Sequence, residues 1–179
     1  MKQLILISFI FLCFDLHARQ IEETTFSYWN KPDSQIYYSI PGSIDTNTKI
    51  IFIMHGVSRT AEKYLKDWLP LAKNRNVVLI APEFSKESYP EYLYLMMSTE
   101  RGKLLKEQSL YLTDSLGLLF DYFKAKLKLS TTTFRLYGHS GGSQFVHRYL
   151  LLSDEIRVEK AAMANSGFYT FADDQISYP

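Results

Sequence analysis

Gly138-His139-Ser140-Gly141-Gly142 presents a hydroxyl in a setting suited to nucleophilic attack. It follows an apolar run (Phe134, Leu136, Tyr137) and precedes a helix-like stretch from Ser143. A G-x-S-x-G sequence between a strand and a helix reads as a nucleophile elbow, in which a sharp bend holds the serine exposed for acyl transfer. Strand and helix then pack so closely that Gly138 and Gly142 must be small. Gly141 leaves a backbone N–H free to face an oxyanion.

Met54-His55-Gly56-Val57 ends the apolar run Lys49–Met54. On a sheet that carries such a serine, the loop after the third strand supplies a further N–H to the oxyanion, and Gly56 allows the close approach. His55 is expected to brace this turn. His139, beside the serine in sequence, should point away from its hydroxyl. His147 lies seven positions along the helix from Ser140, on the order of 10 Å at 1.5 Å per residue, and is expected to serve packing or surface.

These residues need a sheet to position them. Thr25–Tyr28, Ile36–Ile40, Lys49–Met54, Val77–Ala81, Phe134–Tyr137 and Val158–Ala164 read as strands. Ile50–Met54 and Val77–Ala81 are apolar throughout, as in strands covered on both faces. Between strands, Ala61, Tyr64, Leu65, Trp68, Leu71 and Ala72 recur at helical spacing behind Thr60 as N-cap, and Pro70 is expected to kink or end that helix early. Leu112–Leu127 and Ser143–Leu152 read as two more helices. Residues 82–101 show no period, and their aromatic side chains Tyr89, Tyr92 and Tyr94 suit either a substrate pocket or an exposed loop. The alternation predicts an α/β fold, a mostly parallel sheet with helices on both faces.

The chain has 179 residues, 46% of them hydrophobic, and a net charge of +1, which gives no footprint for nucleic acid. Lys2, the apolar run Leu4–Phe14 and small Ala18 read as a signal peptide over 1–18, too short to span a membrane, with a single domain over 19–179. The expected location is secreted or periplasmic, without stable membrane association once the signal is removed. Cys13 is the only cysteine and leaves with it, which excludes disulfides and cysteine-ligated metals; no other metal or cofactor is expected.

Met54-His55-Gly56, Val78–Phe84, Gly138–Arg148 and Ala164–Tyr169 resemble the alpha/beta-hydrolase superfamily, and within it secreted bacterial hydrolases related to poly(3-hydroxybutyrate) depolymerases and feruloyl-type esterases. The resemblance covers residues 25–179. It implies Ser140 as nucleophile, the N–H groups of Val57 and Gly141 as oxyanion donors, and a small-molecule or polymeric ester as substrate. It also implies an acid and a histidine downstream of the serine. Only 39 residues follow Ser140, with His147 the sole histidine among them and Asp173 and Asp174 candidates for the acid. The reading is therefore a fold carried through its sixth strand, short of the segment for acid and base, with Ala161, Ala162 and Met163 on an unpaired edge. Alternatives are a catalytically silent relative acting at most as a binding module, and a serine peptidase of the same fold.

Overall fold

The computed structural model describes residues 19–173 and 175–176, so the signal-peptide segment and Asp174 lie outside the described residues. Six strands form one sheet in the order β1-β2-β4-β3-β5-β6: β1 (Glu22–Phe26), β2 (Ser34–Ser39), β3 (Lys49–Met54), β4 (Val77–Glu83), β5 (Phe134–His139) and β6 (Val158–Ala164). The pairings β1/β2 and β2/β4 are antiparallel; the remaining three are parallel.

The apolar runs in β3 and β4 serve two cores, because successive side chains point to opposite faces. Ile50, Phe52 and Met54 join Val78 and Ile80 on the face covered by α2 (Ser115–Lys126) and α3 (Gly141–Leu152), against Leu119, Phe123, Phe145 and Tyr149. Ile53, Leu79 and Ala81 face α1 (Ala61–Ala72) and its Leu65. The mostly parallel sheet with helices on both faces is thus the observed architecture.

Boundaries differ from the sequence reading in four instructive places. β1 lies at Glu22–Phe26 rather than Thr25–Tyr28, since in this edge strand only Phe26 is buried and the apolar signal is nearly absent. α1 continues through Pro70 to Ala72. Proline in the last turn removes one hydrogen bond, and the packing of Leu69 and buried Ala72 holds the turn without it. Thr60 makes no side-chain cap; the Glu83 carboxyl takes the Ala61 amide instead, and partial burial raises its pKa. Leu112–Asp114 forms a 3-10 turn ahead of α2, closed by the Ser115 hydroxyl donating to Leu112 O at 2.6 Å.

The tyrosines of the segment after β4 belong to the core rather than to a pocket lining or an exposed surface. Tyr89, Tyr92, Tyr94 and Met96 are buried, and Phe84, Tyr92, Phe145 and Tyr149 stack in series with centroids 5.3, 4.8 and 5.9 Å apart. This stack fastens the segment to α3 and so fixes what lies above the helix N-terminus. Among the described residues β6 is an edge strand, with Glu159 to Met163 exposed.

Candidate active site

Ser140 occupies the bend between β5 and α3 at φ 56° and ψ −120°, a conformation that only glycine adopts without strain. Its N–H donates to Ala164 O at 2.9 Å, which ties the bend to the end of β6, and its carbonyl accepts the Ser143 amide at 3.0 Å. α3 begins at once, at Gly141 rather than Ser143. A Cβ on Gly138 would fall on the Gly142 carbonyl, and one on Gly142 on the Met54 carbonyl. Both glycines are therefore required by the closeness of β5, α3 and β3. The Ser140 hydroxyl is partly exposed and makes no hydrogen bond to any described residue.

The loop after β3 lies against this bend. A Cβ on Gly56 would come within 3.5 Å of Ser140 Cβ, and one on Gly141 within 3.1 Å of the Val57 nitrogen. Val57 and Gly141 thus lie close together beside Ser140. As the first residue of α3, Gly141 has no intrahelical acceptor for its N–H, and the positive end of the helix dipole lies there.

His55 is the brace beneath the loop. Its Nδ1–H donates to Gly56 O at 3.0 Å, while Nε2 accepts the Phe84 amide at 3.1 Å. Burial pushes its pKa down to about 4, so the ring is neutral near pH 7. Tyr92 Oη donates to His55 O at 3.2 Å. Arg59, itself at φ 58°, donates to Phe84 O at 2.9 Å and Pro90 O at 3.1 Å, with its guanidinium 4.5 Å from the Tyr92 ring centre. The segment carrying Val57 is clamped at both ends.

The remaining histidines are also committed. His139 Nδ1 bonds Tyr64 Oη at 2.9 Å, and its Nε2 accepts from Asn165 Nδ2 at 3.3 Å. His147 donates from Nε2 to Thr170 O at 2.7 Å and sits edge-on to Tyr169 at 5.1 Å. Asp173 is exposed and spends Oδ1 on the Gln175 amide at 2.9 Å in its own turn. Among the described residues, no group of three His, Cys, Asp or Glu is arranged to hold a metal ion.

Several residues at the site are given no role there by the sequence. Leu93 touches the bend: a Cβ on Gly141 would lie 3.2 Å from Leu93 Cδ2. Its carbonyl is held at 2.9 Å by fully buried Arg148, which also donates to Thr170 Oγ1 at 2.9 Å and Gln144 Oε1 at 3.3 Å. Tyr64 and Asn165 reach the bend through His139. A cleft of about 390 Å3, lined in part by Tyr64, Trp68, Tyr137 and His139, opens beside it.

No protein-family model and no curated protein matches the chain. Among solved structures, it is similar to poly(aspartic acid) hydrolase-1 from Sphingomonas sp. KT-1, at 31% identity and TM-score 0.80 over 89% of this chain and 61% of that one. A poly(3-hydroxybutyrate) depolymerase from Bordetella parapertussis matches at 22% identity and TM-score 0.77, over 90% and 56%. An acetyl xylan esterase from Aspergillus awamori matches at 14% and 0.62, over 84% and 55%. The chain spans 55–61% of the length of these three structures. All are alpha/beta-hydrolase-fold proteins, and this chain has that fold.

Proposed function

We propose that this alpha/beta-hydrolase-fold chain carries the nucleophile and the oxyanion site of a serine hydrolase acting on carboxylic esters. One observation carries the reading: Ser140 is held in a glycine-like conformation at a helix N-terminus, with the Val57 amide packed against Gly141 beside it. The hydroxyl oxygen of Ser140 adds to the substrate carbonyl carbon, and the negative charge formed on the carbonyl oxygen is met by the N–H groups of Val57 and Gly141. Collapse breaks the carbonyl–alkoxide bond, the departing oxygen takes up the proton that Ser140 gave up and leaves as the alcohol, and the acyl-enzyme that remains is cleaved by water. Val57 and Leu93 border the place of the acyl group. His55, His139 and His147 hold their neighbours in place, so the proton acceptor for Ser140 is none of the three.

The substrate is a small-molecule or polymeric ester, with neither nucleic acid nor cofactor involved. The name of the 31% identical neighbour favours a second reading, because poly(aspartic acid) is joined by amide bonds. In that reading the same serine and amides act on an amide carbonyl. Residues 1–18 are read as an export signal to the periplasm or exterior, preceding one domain over 19–179. No helix among the described residues is long and apolar enough to cross a membrane.

A fluorophosphonate probe tests the site. Labelling that maps to Ser140 by mass spectrometry and vanishes in Ser140→Ala and in heat-denatured protein supports it. Absence of labelling favours a catalytically silent relative; labelling retained in Ser140→Ala sinks the assignment. Comparing p-nitrophenyl esters with poly(aspartic acid) separates the two readings.

A further inference from the structure

A second concave site lies between the β1–β2 connection and the segment entering α2, lined by none of the residues that border Ser140. Its volume is about 430 Å3, within the range of small-molecule sites. We propose that this groove binds a neutral saccharide, either an oligosaccharide or a stretch of polysaccharide.

The groove is built around aromatic rings fixed in advance. Tyr28 is 73% exposed, yet its ring is not loose. One face stacks on Tyr122 at 5.5 Å and 29°, and Tyr122 meets Phe26 edge-on at 5.2 Å. Phe26 also packs on Tyr28 at 5.7 Å, and the rest of Tyr28 is exposed along the groove. Trp29, next in the wall, is held edge-on to Phe26 at 4.8 Å, and its indole N–H donates to Pro32 O at 3.0 Å. A large apolar ring left in water while rigidly supported loses little entropy on binding and gains by covering its exposed face.

The polar groups set the chemistry. Asn30, Gln108 and Ser109 line the groove, are exposed, and have side chains that make no hydrogen bond to other described residues. Each of these groups both donates and accepts. The charges in the wall cancel: Lys31 Nζ meets both carboxylate oxygens of Asp114, at 2.9 and 3.0 Å. Nothing in this lining favours a phosphate, a carboxylate polymer or a cation. A neutral sugar ring matches it, with a C–H face for the Tyr28 ring and a rim of hydroxyls that donate and accept toward the amides.

Native gel electrophoresis of the whole chain, in gels cast with soluble neutral polysaccharides such as xylan, hydroxyethylcellulose and galactomannan, tests this. Mobility should fall in at least one of them, with Tyr28→Ala and Gln108→Ala each weakening the retardation about tenfold. Ser140→Ala should be retarded like the parent, which separates this site from the hydrolase reading. Circular dichroism of the variants confirms that they fold, as expected for exposed positions. No retardation in any neutral polysaccharide, equal retardation of parent and both groove variants, or retardation only by charged polymers such as polygalacturonate would each overturn the proposal.

Discussion

Ser140→Gly should stabilise the protein while removing its nucleophile. At φ 56° and ψ −120° the Ser140 backbone lies where a Cβ is strained by on the order of 1–3 kcal/mol. Ser140→Ala removes the hydroxyl, which bonds to no described residue, but keeps the Cβ and hence the strain. Ser140→Gly removes both. Against that gain stands the larger conformational freedom of an unfolded glycine, about 0.4–1 kcal/mol. The difference between the two variants should therefore be about 1 kcal/mol in favour of glycine, and up to about 2 kcal/mol. On a chain of this size that is roughly 2–4 °C in Tm per kcal/mol. Urea melts and thermal scans of parent, Ser140→Ala and Ser140→Gly at pH 7 provide the measurement. Alanine should match the parent within about 0.5 kcal/mol, as expected away from special contacts. A glycine variant less stable than the alanine variant by about 0.4–1 kcal/mol, the cost of the freer unfolded chain alone, would show that the bend stores no strain, and would remove the main geometric support for a serine held ready for attack.

Two further outcomes follow from the same region. Gly142→Ala places a Cβ on the Met54 carbonyl and within 2.7 Å of His55 O, so it should cost about 3 kcal/mol and abolish fluorophosphonate labelling. Gly42→Ala, whose Cβ would meet nothing within 4 Å, is the control; equal urea midpoints for the two would refute the close packing of α3 on β3. His55 makes stability depend on pH: its folded pKa of about 4 lies below the unfolded value of about 6.5. Its contribution is complete above about pH 6.5 and is lost as the unfolded chain takes up a proton, at about 1.4 kcal/mol per pH unit down to pH 4. Between pH 6.5 and 4.5 the parent should lose about 2 kcal/mol more than His55→Gln in urea titrations; parallel slopes would show that His55 is not buried neutral.

The parts of the site made from backbone were legible in the sequence. Ser140, Gly138, Gly142 and Gly56 stand out because a tight bend and a close approach exclude other residues, and that exclusion leaves a local pattern. The strands β3 and β4 were legible for a related reason, since a strand covered on both faces needs a continuous apolar run. β1 was misplaced because an edge strand with one buried side chain need not be apolar. Tyr89, Tyr92 and Tyr94 were ambiguous because aromatic residues in an irregular segment suit a pocket, a surface or a core equally, and only the stacking of Tyr92 on Phe84 and Phe145, the edge-on contact of Tyr89 with Phe84 and the burial of Tyr94 decide. Leu93, Tyr64, Asn165 and Arg148 could not be found, because their roles arise from contacts across 22 to 75 positions of chain.

The same division explains what this chain contributes to the chemistry. Under the proposed function, stabilising an oxyanion needs backbone N–H groups in a fixed place, and three buried side chains hold the backbone around Ser140: the neutral His55 between Gly56 O and Phe84 N, Arg59 on Phe84 and Pro90, and Arg148 on Leu93. Moving a proton needs a side chain with a free nitrogen or oxygen aimed at the serine, and such a group has no local signature. His55 cannot be recruited without breaking the loop that carries Val57. His139 would have to release Tyr64 or Asn165 to free a ring nitrogen. The arrangement therefore separates the two tasks physically. Val57 and Gly141 are organised whether or not a base is present, and the unbonded Ser140 hydroxyl remains open to a partner approaching from the exposed side of the bend. A protein built this way would lose turnover far more readily than it would lose its affinity for anionic, tetrahedral mimics of the reaction, since only the first depends on the proton acceptor.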